Sequence, residues 1–371
     1  MIYLDNAATT IHKPQQVYET LYEYSTKHGA NALRGAYGES LKSSEVIVDA
    51  QNIIGALFNI KQVQNIVFTQ NATYALNTAI LGTLEKDDHA VITQMEHNSV
   101  VRPIHSLCSY TVVKADKDGF VSPYDIEKAI TPKTKLIAVT HASNVCGTLQ
   151  DIKSVSKIAH LHKVKLLIDA AQSAGAVEID IEEINPDFLA FSGHKGLMGP
   201  MGTGGLYIKN PQELKAVICG GTGSDSQNVA QPETMPEKFH SGTLNTPALA
   251  ALTEGVKYIM DTGVKEIGRY ENEIAAFLKS ELKNMKGVKV YGAKESVANV
   301  AFNIEGIDSG ETAKLLNDFA LRAGYHCAPF AHNALGTQDT GAVRASFGIF
   351  NTRDEARALA DSVYKITRDR C

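Results

Sequence analysis

The chain has 371 residues, 44% of them hydrophobic, enough to bury a large core and to form two domains. Its 36 basic and 41 acidic residues leave a net charge of −5, and no basic run or basic–aromatic interleaving suggests nucleic acid. No apolar stretch approaches the roughly 18 residues that span a membrane, and residues 1–6 lack the features of a secretory signal.

Amphipathic helical patterns cover 14–28 and 38–58. Short β-branched runs then alternate with helical patterns, with strands expected at 66–69, 90–94, 111–115, 136–141, 165–169, 188–192 and 205–209. Such interleaving predicts an α/β fold whose mainly parallel, seven-stranded sheet is covered by helices on both faces. A helical stretch follows at 247–284, broken near Thr262-Gly263. Strands at 288–291, 299–305 and 343–348, with helices at 309–323 and 352–367, predict a smaller α+β unit. The expected divisions are an N-terminal segment 1–14 packing with the small domain, a large domain 15–250, and a small C-terminal domain 251–371.

The five cysteines, at 108, 146, 219, 327 and 371, are odd in number and scattered. They form neither a disulfide framework nor a zinc-site spacing, which fits a reducing cytoplasm and no metal.

Polar clusters stand at five expected strand ends: Gln70–Thr73, Glu96-His97-Asn98, His141–Asn144, Asp169–Gln172 and Ser192–Lys195. Open α/β sheets bind ligands beyond the carboxyl ends of their strands, so the convergence outweighs any one cluster. Lys195 sits among small polar residues at one strand end, and Asp169 ends the preceding strand. That pair suits pyridoxal 5′-phosphate: the lysine carries the cofactor, and the carboxylate keeps the pyridine nitrogen protonated so that the ring accepts electrons. Gln70-Asn71-Ala72-Thr73 opens a helix where free N–H groups favour a phosphate, although a plain N-cap explains it as well. His97 is either a ring-stacking, proton-exchanging imidazole or the maker of a local hydrogen bond. Gly199–Gly205 precedes a strand and lacks G-x-G-x-x-G, which argues against a dinucleotide. In Arg322-Ala323-Gly324-Tyr325-His326-Cys327-Ala328-Pro329, Cys327 lies in a polar loop where a thiol can become nucleophilic, the alternative being an inert thiol. Arg344 offers a bidentate fork for a carboxylate, the alternative being an ordinary ion pair.

Taken together, Tyr3-Leu4-Asp5-Asn6-Ala7-Ala8-Thr9-Thr10, Ile168-Asp169-Ala170-Ala171-Gln172, Ser192-Gly193-His194-Lys195, His326-Cys327-Ala328 and Arg344-Ala345-Ser346 resemble the class V aminotransferase family of fold-type I pyridoxal-phosphate enzymes. Within it they resemble the cysteine desulfurase and selenocysteine lyase branch, over nearly the whole chain. The resemblance implies that Lys195 holds the cofactor as a Schiff base, Asp169 pairs with the pyridine nitrogen, and Gln172 bonds the phenolic oxygen. It makes His97 the stacking residue, and Ala72, Thr73, Ser192 and His194 the phosphate ligands. Thr243 would reach the phosphate of a second subunit, which implies a homodimer. Asn144 and Arg344 would bind the amino acid's carboxylate side, with Arg34 at the pocket mouth. Cys327 would take sulfur from L-cysteine as a persulfide, with His97 moving protons, and a separate protein would accept that sulfur. Tyr325 and Leu33 stand where relatives often carry histidine. A selenocysteine lyase, another β-eliminating or transaminating enzyme, and a cofactor-free scaffold on the same fold are the competing readings.

Overall fold

A computed structural model describes residues 1–32, 35, 37–224 and 226–368. After a two-residue strand β1 (Ile2–Tyr3), seven strands build the large sheet: β2 (Ile66–Thr69), β3 (His89–Thr93), β4 (Ser109–Val113), β5 (Thr134–Thr140), β6 (Lys165–Asp169), β7 (Phe188–Ser192) and β8 (Gly204–Ile208). Their spatial order is β2-β8-β7-β6-β5-β3-β4. Neighbours run parallel except around β8, which opposes both β2 and β7. This is the expected mainly parallel seven-stranded sheet, with strand bounds within a few residues of those predicted.

The strands β3, β6 and β7 are buried almost throughout, as helices on both faces require. Strand order reverses between β3 and β5, because β4 lies outside β3 while β6 and β7 follow on the other side. The loops leaving β3, β5, β6 and β7 therefore open on one crevice, where α/β sheets bind ligands. Helices Gln15–Lys27 and Gly38–Phe58 pack against Thr246–Thr262.

The smaller unit holds β9 (Val288–Tyr291), β10 (Asn299–Ile304), β11 (Phe319–Ala320), β12 (Arg322–Gly324) and β13 (Ala342–Ser346). Four of them form an antiparallel sheet in the order β12-β13-β10-β9. Helices Val264–Lys283 and Arg353–Arg368 close its core, in which Leu278, Phe302, Val343 and Leu359 meet Leu4 from the chain start. The expected break in the 247–284 helix falls at Gly263, whose φ of 90° only glycine adopts readily.

The expected helix at 309–323 is corrected: it ends at Leu315. Phe319-Ala320 instead pairs in parallel with Ile2-Tyr3, and Arg322–Gly324 joins β13. Strand partners distant in sequence override a local helical pattern here. The N-terminal segment bridges both units: Asp5 pairs with Ser346, and the Thr9 and Thr10 hydroxyls donate to the His194 carbonyl. Among the described residues, no helix is long and apolar enough to cross a membrane.

Candidate active site

Eleven residues singled out from sequence (Ala72, Thr73, His97, Asn144, Asp169, Gln172, Ser192, His194, Lys195, Cys327 and Arg344) line one cavity of about 320 Å³. Its floor is built from strand ends. Asp169 closes β6, and its Oδ1 accepts the Ala171 N–H at 2.9 Å. Burial pushes the Asp169 carboxyl above its usual range, while that N–H and the charge of Lys195 pull it back. Lys195 follows β7. Burial pulls its amine down to about 8, against the opposing pull of Asp169. A lysine so lowered holds a substantial neutral fraction near pH 7 to 8, as a nucleophilic or proton-accepting amine requires.

One end of the cavity suits a phosphate. Helix Ala72–Thr83 begins there, with the Asn71 side chain accepting the Tyr74 N–H at 3.3 Å. The cap leaves the N–H groups of Ala72 and Thr73 without an intrahelical acceptor, at the positive end of the helix dipole. The capping and anion-binding readings of this turn are therefore compatible. Thr73 Oγ1 lies 2.8 Å from Ser99 Oγ. Gly204, at the start of β8, lets the turn sit close: a Cβ there would stand 2.7 Å from the Asn71 backbone. Ser192 and His194 complete this end. His194 Nδ1 contacts Thr9 Oγ1 at 3.1 Å, and burial followed by the Lys195 charge lowers its pKa to about 4.

His97 caps the next helix, Asn98–Leu107. Its Nδ1 accepts the Ser99 N–H at 3.0 Å, which leaves the hydrogen on Nε2. Burial, then the Lys195 charge, lowers it to about 4, so the ring is neutral near pH 7. Beneath it, Glu96 is fully buried, with Oε1 accepting from Thr93 Oγ1 at 2.6 Å and from the Thr140 N–H at 2.9 Å. Burial pushes Glu96 up to about 8, so it is mostly protonated at neutral pH and ties β3 to β5 without a buried charge.

Another part of the lining is cationic. Arg344 is 2% exposed, with Nη1 donating to the Asn144 carbonyl at 2.7 Å and Nη2 to Asp5 Oδ1 at 2.6 Å. Its Nε is buried without a partner among the described residues. Asn144 donates from Nδ2 to the His326 carbonyl at 2.6 Å, and Gln172 donates to the Ala7 carbonyl at 3.0 Å. Asn144 and Arg344 thus already serve this part of the site through protein contacts. Cys327 reaches the cavity from the small unit, and Cys146, two residues past Asn144, is fully buried against Thr148 Oγ1 at 3.2 Å. Cys108, Cys146, Cys219 and Cys327 are free thiols.

Thr243 does not line this cavity. It borders a separate groove of about 420 Å³ with Phe68, Tyr74, Ile218, Phe239 and Leu244. Arg34, like Leu33, lies outside the described residues. The sequence reading missed Arg322, which lines the cavity and stands opposite Arg344 in the β12–β13 pairing. It was visible in the cysteine cluster, but assigning 309–323 to a helix hid its place beside Arg344. Asp5 was also missed as the acidic partner of Arg344. Asn71, Ser99 and Thr140 line the cavity as well.

The donor set fits an anionic, ring-bearing cofactor: one lining holds a helix start with hydroxyls, a buried carboxylate and a lowered lysine. The fold, with these groups at its strand ends, is that of the fold-type I pyridoxal-phosphate enzymes. The chain belongs to the class-V aminotransferase family, whose model matches residues 2–359. It is 36% identical to a probable cysteine desulfurase of Methanothermobacter thermautotrophicus, covering 98% of this chain and 94% of that one. A probable cysteine desulfurase of Halalkalibacterium halodurans is 34% identical, over 98% and 93% of the two chains. The apo structure of cysteine desulfurase from Thermococcus onnurineus NA1 superposes with a TM-score of 0.92 at 32% identity, covering 99% of this chain and 95% of that one. The cysteine desulfurase CsdA from Escherichia coli gives a TM-score of 0.87 at 25% identity, over 99% and 94%.

Proposed function

We propose that this chain is a pyridoxal-phosphate-dependent cysteine desulfurase, converting L-cysteine to L-alanine and leaving the sulfur on Cys327 as a persulfide. The observation that carries the reading is the presence of Lys195, Asp169 and Cys327 on one cavity, the first two from the large unit and the thiol from the small one. The names of the similar proteins point the same way.

Lys195 and Asp169 would hold the cofactor, with Gln172 beside its phenolic oxygen, His97 against its ring, and Ala72, Thr73, Ser192 and His194 at its phosphate. When bound, the cofactor supplies an electron sink for the pair released at the substrate Cα. The neutral fraction of Lys195 takes that Cα proton and returns a proton later. Asp169 would pair its carboxylate with the ring nitrogen. Arg344 and Arg322 set the cationic part of the lining toward the substrate carboxylate, with Arg344 already aligned by Asp5 and by Asn144. Arg34 is assigned to the pocket mouth on the resemblance alone. Cys327 thiolate attacks the substrate sulfur: an S–S bond forms, the Cβ–S bond breaks, and the carbon side takes the electron pair and is protonated to alanine. His97, neutral with its hydrogen on Nε2, would donate a hydrogen bond to the substrate sulfur.

The same reading makes the protein a homodimer, in which the groove around Thr243 meets a second copy and Thr243 approaches the partner's phosphate site. The exposure of Tyr74 and Ile218 on that groove, 44% and 53%, supports it, and sedimentation would test it. The exposed Cys327 suits hand-over to a separate sulfur-acceptor protein, and four free thiols suit a reducing cytoplasm.

The test is product analysis of cofactor-loaded protein with L-cysteine and a reductant. Equal alanine and sulfide is the expected result. Pyruvate with ammonia would replace desulfuration with elimination, and a cofactor band without either product would overturn L-cysteine as the substrate.

A further inference from the structure

The turn that presents Cys327 is held by an unusual set of contacts. His326 and Cys327 both have positive φ, 51° and 56°, a left-handed conformation that side-chain-bearing residues adopt rarely and keep only when their surroundings impose it. From the large unit, the Asn98 N–H donates to the Cys327 carbonyl at 2.7 Å and Asn144 Nδ2 to the His326 carbonyl at 2.6 Å. Both contacts grip the backbone and leave the side chains free.

From the small unit the grip is on the His326 ring. Helix Pro329–Leu335 starts two residues after Cys327 and carries His332, which is 0% exposed. The two imidazoles lie edge to edge and nearly coplanar, 5.4 Å between centroids and 8° between planes, with His326 Nδ1 3.3 Å from His332 Nε2. His332 Nδ1 lies 2.7 Å from Thr337 Oγ1, so a chain of three side chains runs from the turn into the small unit. The Thr337 N–H donates to the His332 carbonyl at 2.8 Å and fixes the far end. Tyr325 closes the set, edge-on to His332 at 5.4 Å, its hydroxyl donating to the Gln338 carbonyl at 2.9 Å. Burial keeps both imidazoles neutral, so their shared contact is a hydrogen bond and not a repulsion of two cations.

We propose that His332 and Thr337 are positioning residues for sulfur transfer: they lock the His326 ring, and through it the left-handed turn that aims Cys327 into the Lys195 cavity. Neither residue lines that cavity. The catalytic consequence rests on the desulfurase reading; the mechanical one does not. His332 is matched to the sequence that precedes it, because Tyr325 supplies an aromatic edge to the second ring.

The experiment compares cofactor-loaded wild type with His332→Phe, His332→Gln and Thr337→Val, by backbone hydrogen exchange over 322–336 and by single-turnover persulfide formation from L-cysteine. His332→Phe keeps a flat ring but no nitrogen. Its Ala328 amide, which donates to the Tyr325 carbonyl at 2.9 Å, should exchange about tenfold faster and its persulfide step should slow about tenfold, with the cofactor band and KM unchanged, as expected for one lost buried hydrogen bond. Gln, which restores a donor, should recover part of both effects, and Thr337→Val should show the same pattern more weakly. Exchange over 322–336 within twofold of wild type in both His332→Phe and Thr337→Val would overturn the proposal. So would exchange that rises equally in the large sheet, because His332 would then serve only general stability. Exchange reads the turn even if wild type makes no alanine, an outcome that would sink the desulfurase reading alone. If His332→Phe fails to fold, Thr337→Val carries the test by itself.

Discussion

The floor of the cavity and the turn that carries Cys327 are two ways of holding a reactive group. Asp169 and Lys195 stand at or just after the ends of neighbouring parallel strands, whose backbones are tied by sheet ladders and buried on both faces. Cys327 sits on a left-handed turn held by two backbone contacts and a short chain of side chains. A ladder spreads the cost of placement over many residues, whereas the turn concentrates it in a few. The floor should therefore keep its geometry through single substitutions and lose only chemistry, while the turn should lose geometry.

The largest expected effect is in the floor. Lys195→Ala should abolish both turnover and the visible band of the lysine-bound cofactor, with a melting temperature of the cofactor-free protein close to wild type. An unchanged visible spectrum would break the assignment. In the turn, Cys327→Ala should keep that band and lose persulfide formation; sulfide release at the wild-type rate would remove its nucleophilic role.

A smaller effect tests whether the floor can be deformed at all. Gly204→Ala would place a Cβ 2.7 Å from the backbone of Asn71, which has no flexible end to move aside. Overpacking of this kind costs about 1–3 kcal/mol, and the shift of the helix start should weaken phosphate binding as well. Denaturant unfolding and cofactor titration together would show it.

The smallest effect is in pH dependence. His97, His141, His194, His240 and His332 are lowered from 6.5 to about 4 and His326 to about 2, in each case chiefly by burial. The unfolded chain binds more protons at these sites, so their contribution is complete above pH 6.5 and is lost as pH falls toward 4. Glu96 and Glu271 are raised from 4.5 to about 8 by burial, and their contribution runs the other way, complete below pH 4.5 and lost as pH rises toward 8. From these histidines and glutamates alone stability peaks near pH 6.5, and Lys13, Lys195 and Lys279, lowered from 10.5 to about 8 by burial, add a second rise in the cofactor-free protein as pH climbs from 8 toward 10.5. Glu96→Gln should flatten the alkaline limb, and a denaturation midpoint that still falls as steeply between pH 6.5 and 8 would contradict the protonated Glu96.

Much of the floor was legible in the sequence. The runs ending at Asp169 and Ser192 were legible as strands because each is a short, nearly continuous apolar run bounded by a polar cluster. The site at the strand ends followed from that pattern and from the direction of a parallel sheet. Helix 38–58 was placed to the residue, and the stop at Gly263 was visible because glycine alone takes that backbone turn easily.

The small unit was less legible, since its elements depend on partners far along the chain. Residues 309–323 carry a helical pattern, yet the second half pairs with Ile2-Tyr3 and with β13. That pairing alone put Arg322 opposite Arg344 and Asp5 against the Arg344 guanidinium. The part played by His332 was not legible, because a histidine near Cys327 and His326 is non-specific until its ring is seen in contact with another. Local periodicity and turn chemistry thus determined which segments became strands and helices, and through the parallel sheet which loops share a crevice. Tertiary structure decided how the second unit closes over that crevice, because strand pairing and ring-to-ring contacts join residues that no short-range pattern relates.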